Sequence, residues 1–238
     1  MLLADGGAEL RDLVRGRSLL REWTRVLPRY AELQIALIGK EREVLATGTP
    51  DHRLHLLAGL VSRILDDHAV IRASGSDRLS REDERWIRAA VPRVAERAAE
   101  LEALLIGPTV DHDDLHDANA LRRRGHTVIF DWGDACFTHP FLSLTIALRF
   151  AARRTGLRES DPAIRRLRDA YLEPFEPFAS AARLRRGASI GRRLGMVTRA
   201  LSWYRTVTLS GGPPEMGRES LAAWLRQLPI AFPPRRGR

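Results

Sequence analysis

Two residue types are almost absent from this 238-residue chain. Cysteine occurs once, at Cys136, which excludes a disulfide scaffold and any zinc site built on cysteines, and fits a reducing cytoplasm. Lysine also occurs once, at Lys40, so nearly all of the formal charge of +9 comes from arginine. Arginine bias of this kind often follows base composition and is a weak guide to partners. No apolar run is long enough to span a bilayer, and the N-terminus lacks the basic, apolar and cleavage-site segments of a signal peptide. The expectation is a cytoplasmic protein with no membrane partner. An apolar fraction of 44% suffices to fill a core, so wholesale disorder is excluded.

What is present is mostly helical periodicity. Residues 8–47 carry apolar side chains at helical spacing, and Pro28 is expected to break or kink that run. Leu54, Leu57, Leu60, Val61, Ile64 and Leu65 form a second stripe, on a helix expected to open near Pro50-Asp51. Ser80-Arg81-Glu82-Asp83 reads as a capping box opening a helix that reaches about Leu105. From Pro140 onward the helical stretches are 140–155, 161–179, 181–209 and 219–228. Trp23, Trp86, Trp203 and Trp224 fall on apolar faces and are read as core, and Trp132 as packing.

Between these helices lies a polar centre. His112-Asp113-Asp114-Leu115-His116-Asp117 places five acids or histidines in six positions, which is costly unless water, a metal or a cation neutralises them. Thr127-Val128-Ile129-Phe130 reads as a strand ending on Asp131, and a hairpin or strand pair is expected around residues 119–131. Carboxylate and amide oxygens are hard ligands suited to magnesium beside phosphate oxygens. Phosphoryl transfer needs one carboxylate to take the proton of the attacking hydroxyl, and an Asn and a second Asp to hold the metal. Asp114 and Asn119 have the D-x-x-x-x-N spacing, and Asp131 ends the following strand.

His112-x-Asp114-Leu115-His116-x-x-Asn119 resembles the H-G-D-L-H-x-x-N loop of the aminoglycoside phosphotransferase and choline kinase-like family. Asp131-Trp132-Gly133-Asp134-Ala135 is similar to that family's metal motif, and His139-Pro140 to the step after it. The resemblance implies a mainly α fold with a small β element, the C-terminal lobe of a protein-kinase-like fold. It implies ATP-dependent transfer to a hydroxyl of a small molecule, with Asp114 as base and Asn119 and Asp131 on Mg2+ beside the nucleotide. His112 and His116 would shape the loop. Asp134 is either a supporting hydrogen-bonding group or a cap for the next element.

Three departures stand out. Asp113 occupies a position where the family usually has Gly, and Asp117-Ala118 replaces Pro-Gly, adding acids expected to raise neighbouring pKa values. No glycine-rich loop or strand lysine precedes residue 112, and Lys40 lies in a helical stretch. Residues 1–7 look like the family's hinge, with Leu3 at a nucleotide-contact position. The expected layout is a hinge-like start at 1–7, a helical catalytic lobe at 8–232 and a flexible tail at 233–238. A complementing ATP lobe would be needed if the gene is split, and the chain alone is expected to bind ATP poorly and turn over slowly.

Two other functions compete. His112, Asp114, His116 and Asp131 could ligate zinc or manganese in a metal-dependent hydrolase. Arg183, Arg185, Arg186, Arg192, Arg193 and Arg199 could make a basic helical module without catalysis. A solvated arginine face is preferred there, and a nucleic-acid partner is disfavoured because no recognition motif accompanies the charge. The few acids in the C-terminal region, among them Glu173, Glu176, Glu215 and Glu219, favour a neutral or anionic acceptor over a polycation.

Overall fold

The computed structural model describes residues 7–72, 78–209 and 215–234, with side chains described at 7–72, 78–209 and 219–234. Leu3 and the rest of the hinge-like start before Gly7 lie outside the described residues, as do 235–238 of the tail.

The long apolar run at the start divides where its periodicity is interrupted. A two-residue strand, β1 (Ala8–Glu9), leads into helices α1 (Leu10–Leu13), α2 (Gly16–Ala36) and α3 (Glu41–Ala46). Pro28 neither breaks nor ends α2, which runs through it. Leu19, Trp23, Val26, Leu27, Tyr30, Ala31 and Gln34 bury one continuous face, and that burial outweighs the one hydrogen bond a proline removes. The second stripe begins with a 3-10 turn at Leu54–Leu56, a few residues later than Pro50-Asp51, and continues as α4 (Leu57–Asp66) and α5 (His68–Ile71). The backbone of Asp51 instead bridges to Phe137.

The capping box forms as expected. Ser80 Oγ accepts from the Asp83 amide at 3.0 Å, and Asp83 Oδ2 accepts from the Ser80 amide at 2.9 Å. The helix it opens, α6 (Arg81–Glu102), stops three residues short of Leu105, which adopts φ +60° in the exit turn. The second half holds α7 (Leu144–Thr155), α8 (Pro162–Leu172), α9 (Ala181–Leu209) and α10 (Glu215–Ala231). One apolar core joins α2, α4, α6, α7, α8, α9 and α10. Trp23 sits in it, but Trp86 is 53% exposed, and Trp203 and Trp224 are only partly buried against it. Reading Trp86 as core was therefore wrong: it lies on the outer face of α6, its indole nitrogen donating to Glu82.

The β structure is small and lies at the polar centre. Strands β3 (Ala120–Arg123) and β4 (His126–Ile129) form the expected hairpin, with Ala120 opposite Ile129 and Arg123 opposite His126. Arg124 and Gly125 both take positive φ in its turn, as a two-residue hairpin loop requires. β1 extends this sheet on the β3 side. A second pair, β2 (Thr109–Asp111) with β5 (Cys136–Thr138), frames the catalytic segment from the other side. These strands are too short to show alternation in the sequence.

α9 lies very close over the turn that precedes α7. A Cβ on Gly191 would come within 2.8 Å of Phe141 O, and one on Gly195 within 2.6 Å of Leu142 O. Only glycine fits those approaches. Arg199 follows Gly195 by four residues and so continues the same stripe. The glycines thus bring the last third of α9 down onto the 111–119 loop.

Candidate active site

The loop between β2 and β3 carries most of the expected residues, and its conformation is fixed from below. Asp111 ends β2 and is buried. One of its oxygens accepts from Ser143 Oγ at 2.5 Å, the Asp113 amide at 3.0 Å and Tyr30 OH at 3.4 Å. Tyr30 OH in turn accepts from the His112 amide at 2.9 Å. The other carboxylate oxygen of Asp111 is buried without a partner. Burial lifts the Asp111 pKa to about 6, against the pull of those donors.

Both histidines shape the loop. His112 Nδ1 accepts from the Asp114 amide at 3.3 Å, so its Nε2 carries the proton that Phe130 O accepts at 2.8 Å. That bond ties the loop to the residue before Asp131. Burial lowers the pKa of His112, which favours this neutral form. His116 Nδ1 accepts from the Ala118 amide at 3.1 Å, leaving Nε2 to face Asp114 Oδ2 at 3.4 Å. The His116 ring stacks on Phe150, with centroids 4.8 Å apart. With both nitrogens of each ring engaged, neither histidine offers a lone pair to zinc. The hydrolase alternative thus loses two of its four ligands.

Asp114 is partly buried at the rim. Asn119 Nδ2 donates to its carbonyl oxygen at 2.9 Å and to Oδ2 at 3.3 Å. Burial raises the Asp114 pKa, but the His116 hydrogen bond and the Arg199 charge together hold it below the usual carboxylate range. The expectation that the extra acids would raise the base's pKa therefore fails for Asp114. Each extra acid meets its own arginine. Asp117 is buried and pairs with Arg154 at 2.8 Å. Asp113 is buried against α9, accepting from Thr198 Oγ1 at 2.6 Å with Arg199 at 3.4 Å.

Asp113 adopts φ +60°, the left-handed region that glycine favours. Aspartate tolerates it better than most residues, and the contacts to α9 hold it there. Burial keeps the Asp113 pKa well above normal, Arg199 opposing and Asp111 adding to the shift.

Asn119 and Asp131 meet at the ends of the hairpin. Asn119 directly precedes Ala120, and its carbonyl accepts from the Phe130 amide at 3.1 Å. Because Asn119 spends its amide nitrogen on Asp114, its Oδ1 is left without a hydrogen bond among the described residues. Asp131 is exposed, adopts φ +59°, and its carboxylate has no described partner. Two unengaged hard oxygen donors flanking the open end of one hairpin are a donor set that fits magnesium. Beside them, the Trp132 ring packs on His112 at 4.7 Å and Tyr30 at 6.4 Å, in line with its reading as packing.

Asp134 is no helix cap. It accepts from Arg199 at 2.9 Å and from Ser202 Oγ at 2.7 Å, both on α9. Arg199 is the residue that the sequence reading misplaced. Expected on a solvated arginine face, it is 4% exposed and contacts Asp113, Asp114 and Asp134. Gly187, Gly191 and Gly195 at intervals of four, running into Arg199, were the available signal. Of its former companions, Arg183, Arg185, Arg186 and Arg193 are exposed. Asp169 and Glu100 pair with Arg185 and Arg186, and Glu159 with the half-buried Arg192, so this face is partly self-neutralised. Lys40 directly precedes α3 and faces Glu43.

A mainly helical lobe whose acidic loop is followed by a hairpin and a second acid defines a kinase-like fold. The profile of the Phosphotransferase enzyme family matches residues 6–185, and the chain belongs to that family. Among solved structures it is similar to an ethanolamine kinase from Plasmodium vivax, with 14% identity and a TM-score of 0.57. The alignment covers 97% of this chain and 65% of that one, so the chain spans less than two thirds of that kinase's length. No curated protein matches the chain.

Proposed function

We propose that this chain is the catalytic part of an ATP- and Mg2+-dependent phosphotransferase that acts on a hydroxyl group of a small molecule in the cytoplasm. The observation that carries the reading is the division of labour at Asn119. Its amide nitrogen braces Asp114, while its Oδ1 and the Asp131 carboxylate remain unengaged. No helix among the described residues is long and apolar enough to cross a membrane.

In this reading Asp114 accepts the proton of the acceptor hydroxyl. Asn119 and His116 orient its Oδ2, and Arg199 helps to keep it ionised at neutral pH. Such a base is weak, but phosphoryl transfer draws mainly on positioning and charge stabilisation. Magnesium held by Asn119 and Asp131 would supply the positive charge that the transferring phosphates need. His112 keeps the Asp131 end of the hairpin in register with the loop through Phe130 O. Leu3 is assigned to the nucleotide and Asp134 to support of the loop. With few acids in the C-terminal helices, a neutral or anionic acceptor fits better than a polycation.

The test is transfer of labelled γ-phosphoryl from Mg-ATP to a panel of neutral, anionic and cationic alcohols. Slow transfer by the chain, lost in both Asp114→Asn and Asp131→Asn, is the expected result. Transfer that survives Asp114→Asn unchanged contradicts the assignment. Isothermal titration is expected to find only weak Mg-ATP binding to the chain alone, and micromolar affinity would overturn that part.

A further inference from the structure

We propose that Arg199 is a positioning residue for the reaction: from α9 it gathers Asp113, Asp114 and Asp134 into one fixed arrangement and so sets the place of the base. This rests on the phosphotransferase reading for its purpose, though not for its geometry.

The guanidinium donates to Asp134 Oδ2 at 2.9 Å and to the Asp113 carbonyl at 3.1 Å, and lies 3.4 Å from Asp113 Oδ2 and 3.5 Å from Asp114 Oδ1. These acids come from two separated segments, the loop after β2 and the turn after β4. Arg199 is the one described side chain that contacts all three. Its planar fork suits several oxygens at once, as a lysine ammonium would not. Thr198 and Ser202 add a hydrogen bond each to Asp113 and Asp134, so a single helical turn of α9 carries the whole set.

The partners explain each other. Asp113 stands where the resembled family usually has glycine, and a buried carboxylate in a left-handed position would be destabilising alone. Arg199, also buried, would be equally costly without acids. Together they anchor the loop to the glycine-lined helix, beyond the bonds that Asp111, His112 and Asp117 make elsewhere. Asp114 is the next residue after the anchored one. Any slack at Asp113 therefore passes directly to the base.

The test compares the wild type with Arg199→Lys, Arg199→Met and, as a control on the exposed face of α9, Arg193→Met. Amide hydrogen exchange is followed at residues 111–119 and in the α2 and α6 core. Arg199→Met should speed exchange of the loop about tenfold while the core keeps its wild-type rates, and Arg193→Met should change neither. Arg199→Lys keeps the charge but not the fork, and should loosen the loop by a smaller factor. It also keeps the test open if the Met variant fails to fold. With any acceptor that is phosphorylated, Arg199→Lys should lower kcat and leave KM near wild type. Unchanged loop exchange in Arg199→Lys and Arg199→Met, or exchange that rises equally in loop and core, would overturn the proposal. Absence of turnover in the wild type would instead count against the phosphotransferase reading, and the exchange result would stand apart from it.

Discussion

The inner and outer sides of the 111–119 loop are treated in opposite ways. On the inner side, Asp113 faces Arg199 and Asp117 faces Arg154, each acid buried beside a cation. On the outer side, Asn119 Oδ1 and the Asp131 carboxylate have no described protein partner. Asp114 lies between, braced by Asn119, His116 and Arg199 but still partly open. A fold that can neutralise acids, and does so twice within five residues, has left two oxygen donors unneutralised at one place. That asymmetry separates acids that hold the loop from those available to a ligand.

The comparison breaks first if the outer residues prove dispensable. Asp114→Asn should reduce phosphoryl transfer by about 1,000-fold, measured as kcat/KM, while leaving the unfolding midpoint at or above the wild-type value. The inner side should respond the other way, through stability. Arg154→Met strands the buried Asp117 and should cost about 3–5 kcal/mol in urea unfolding at neutral pH.

A gentler probe is Asp111, whose pKa in the fold is raised by burial to about 6, above the ordinary carboxylate range. A raised acid favours the fold while it stays protonated, and that advantage is lost as pH rises from about 4 through about 6. Asp111→Asn should therefore gain on the wild type with rising pH, by up to about 3 kcal/mol at pH 8, and gain nothing near pH 3. Stability curves of the two proteins that run parallel from pH 3 to pH 8 would show that folding leaves the Asp111 pKa unshifted. Smallest of all, Trp86→Ala should change stability by less than about 0.5 kcal/mol, against about 3–5 for the buried Trp23→Ala.

Much of this was legible in the sequence. α9 matches the stretch read at 181–209, the capping box sits at Ser80–Asp83, and the hairpin falls within 119–131. Those features depend on local periodicity and short-range hydrogen bonds. Pro28 misled because the core, not the local backbone, decides whether α2 continues. Trp86 misled because a helical stripe cannot say which neighbour, if any, covers it. β2 and β5 are three residues each and pair across an interval of about 25 residues, so neither carries a local signal. At the site, the motif spacing led to Asp114, Asn119 and Asp131. It was silent on Arg199, about 85 positions later, because a contact made through tertiary packing leaves no spacing to read. The glycine ladder leading to Arg199 was visible, but only the close approach to Phe141 and Leu142 gives it meaning.

The most direct measurement is where a divalent cation binds. Mn2+, standing in for Mg2+, broadens amide resonances near it in a heteronuclear NMR spectrum of the labelled chain. The account predicts broadening centred on Asn119 and Asp131, removed by Asp131→Asn and kept by Asp117→Asn. Broadening centred on the inner acids around Asp113 and Asp117, or left unchanged by Asp131→Asn, would contradict it.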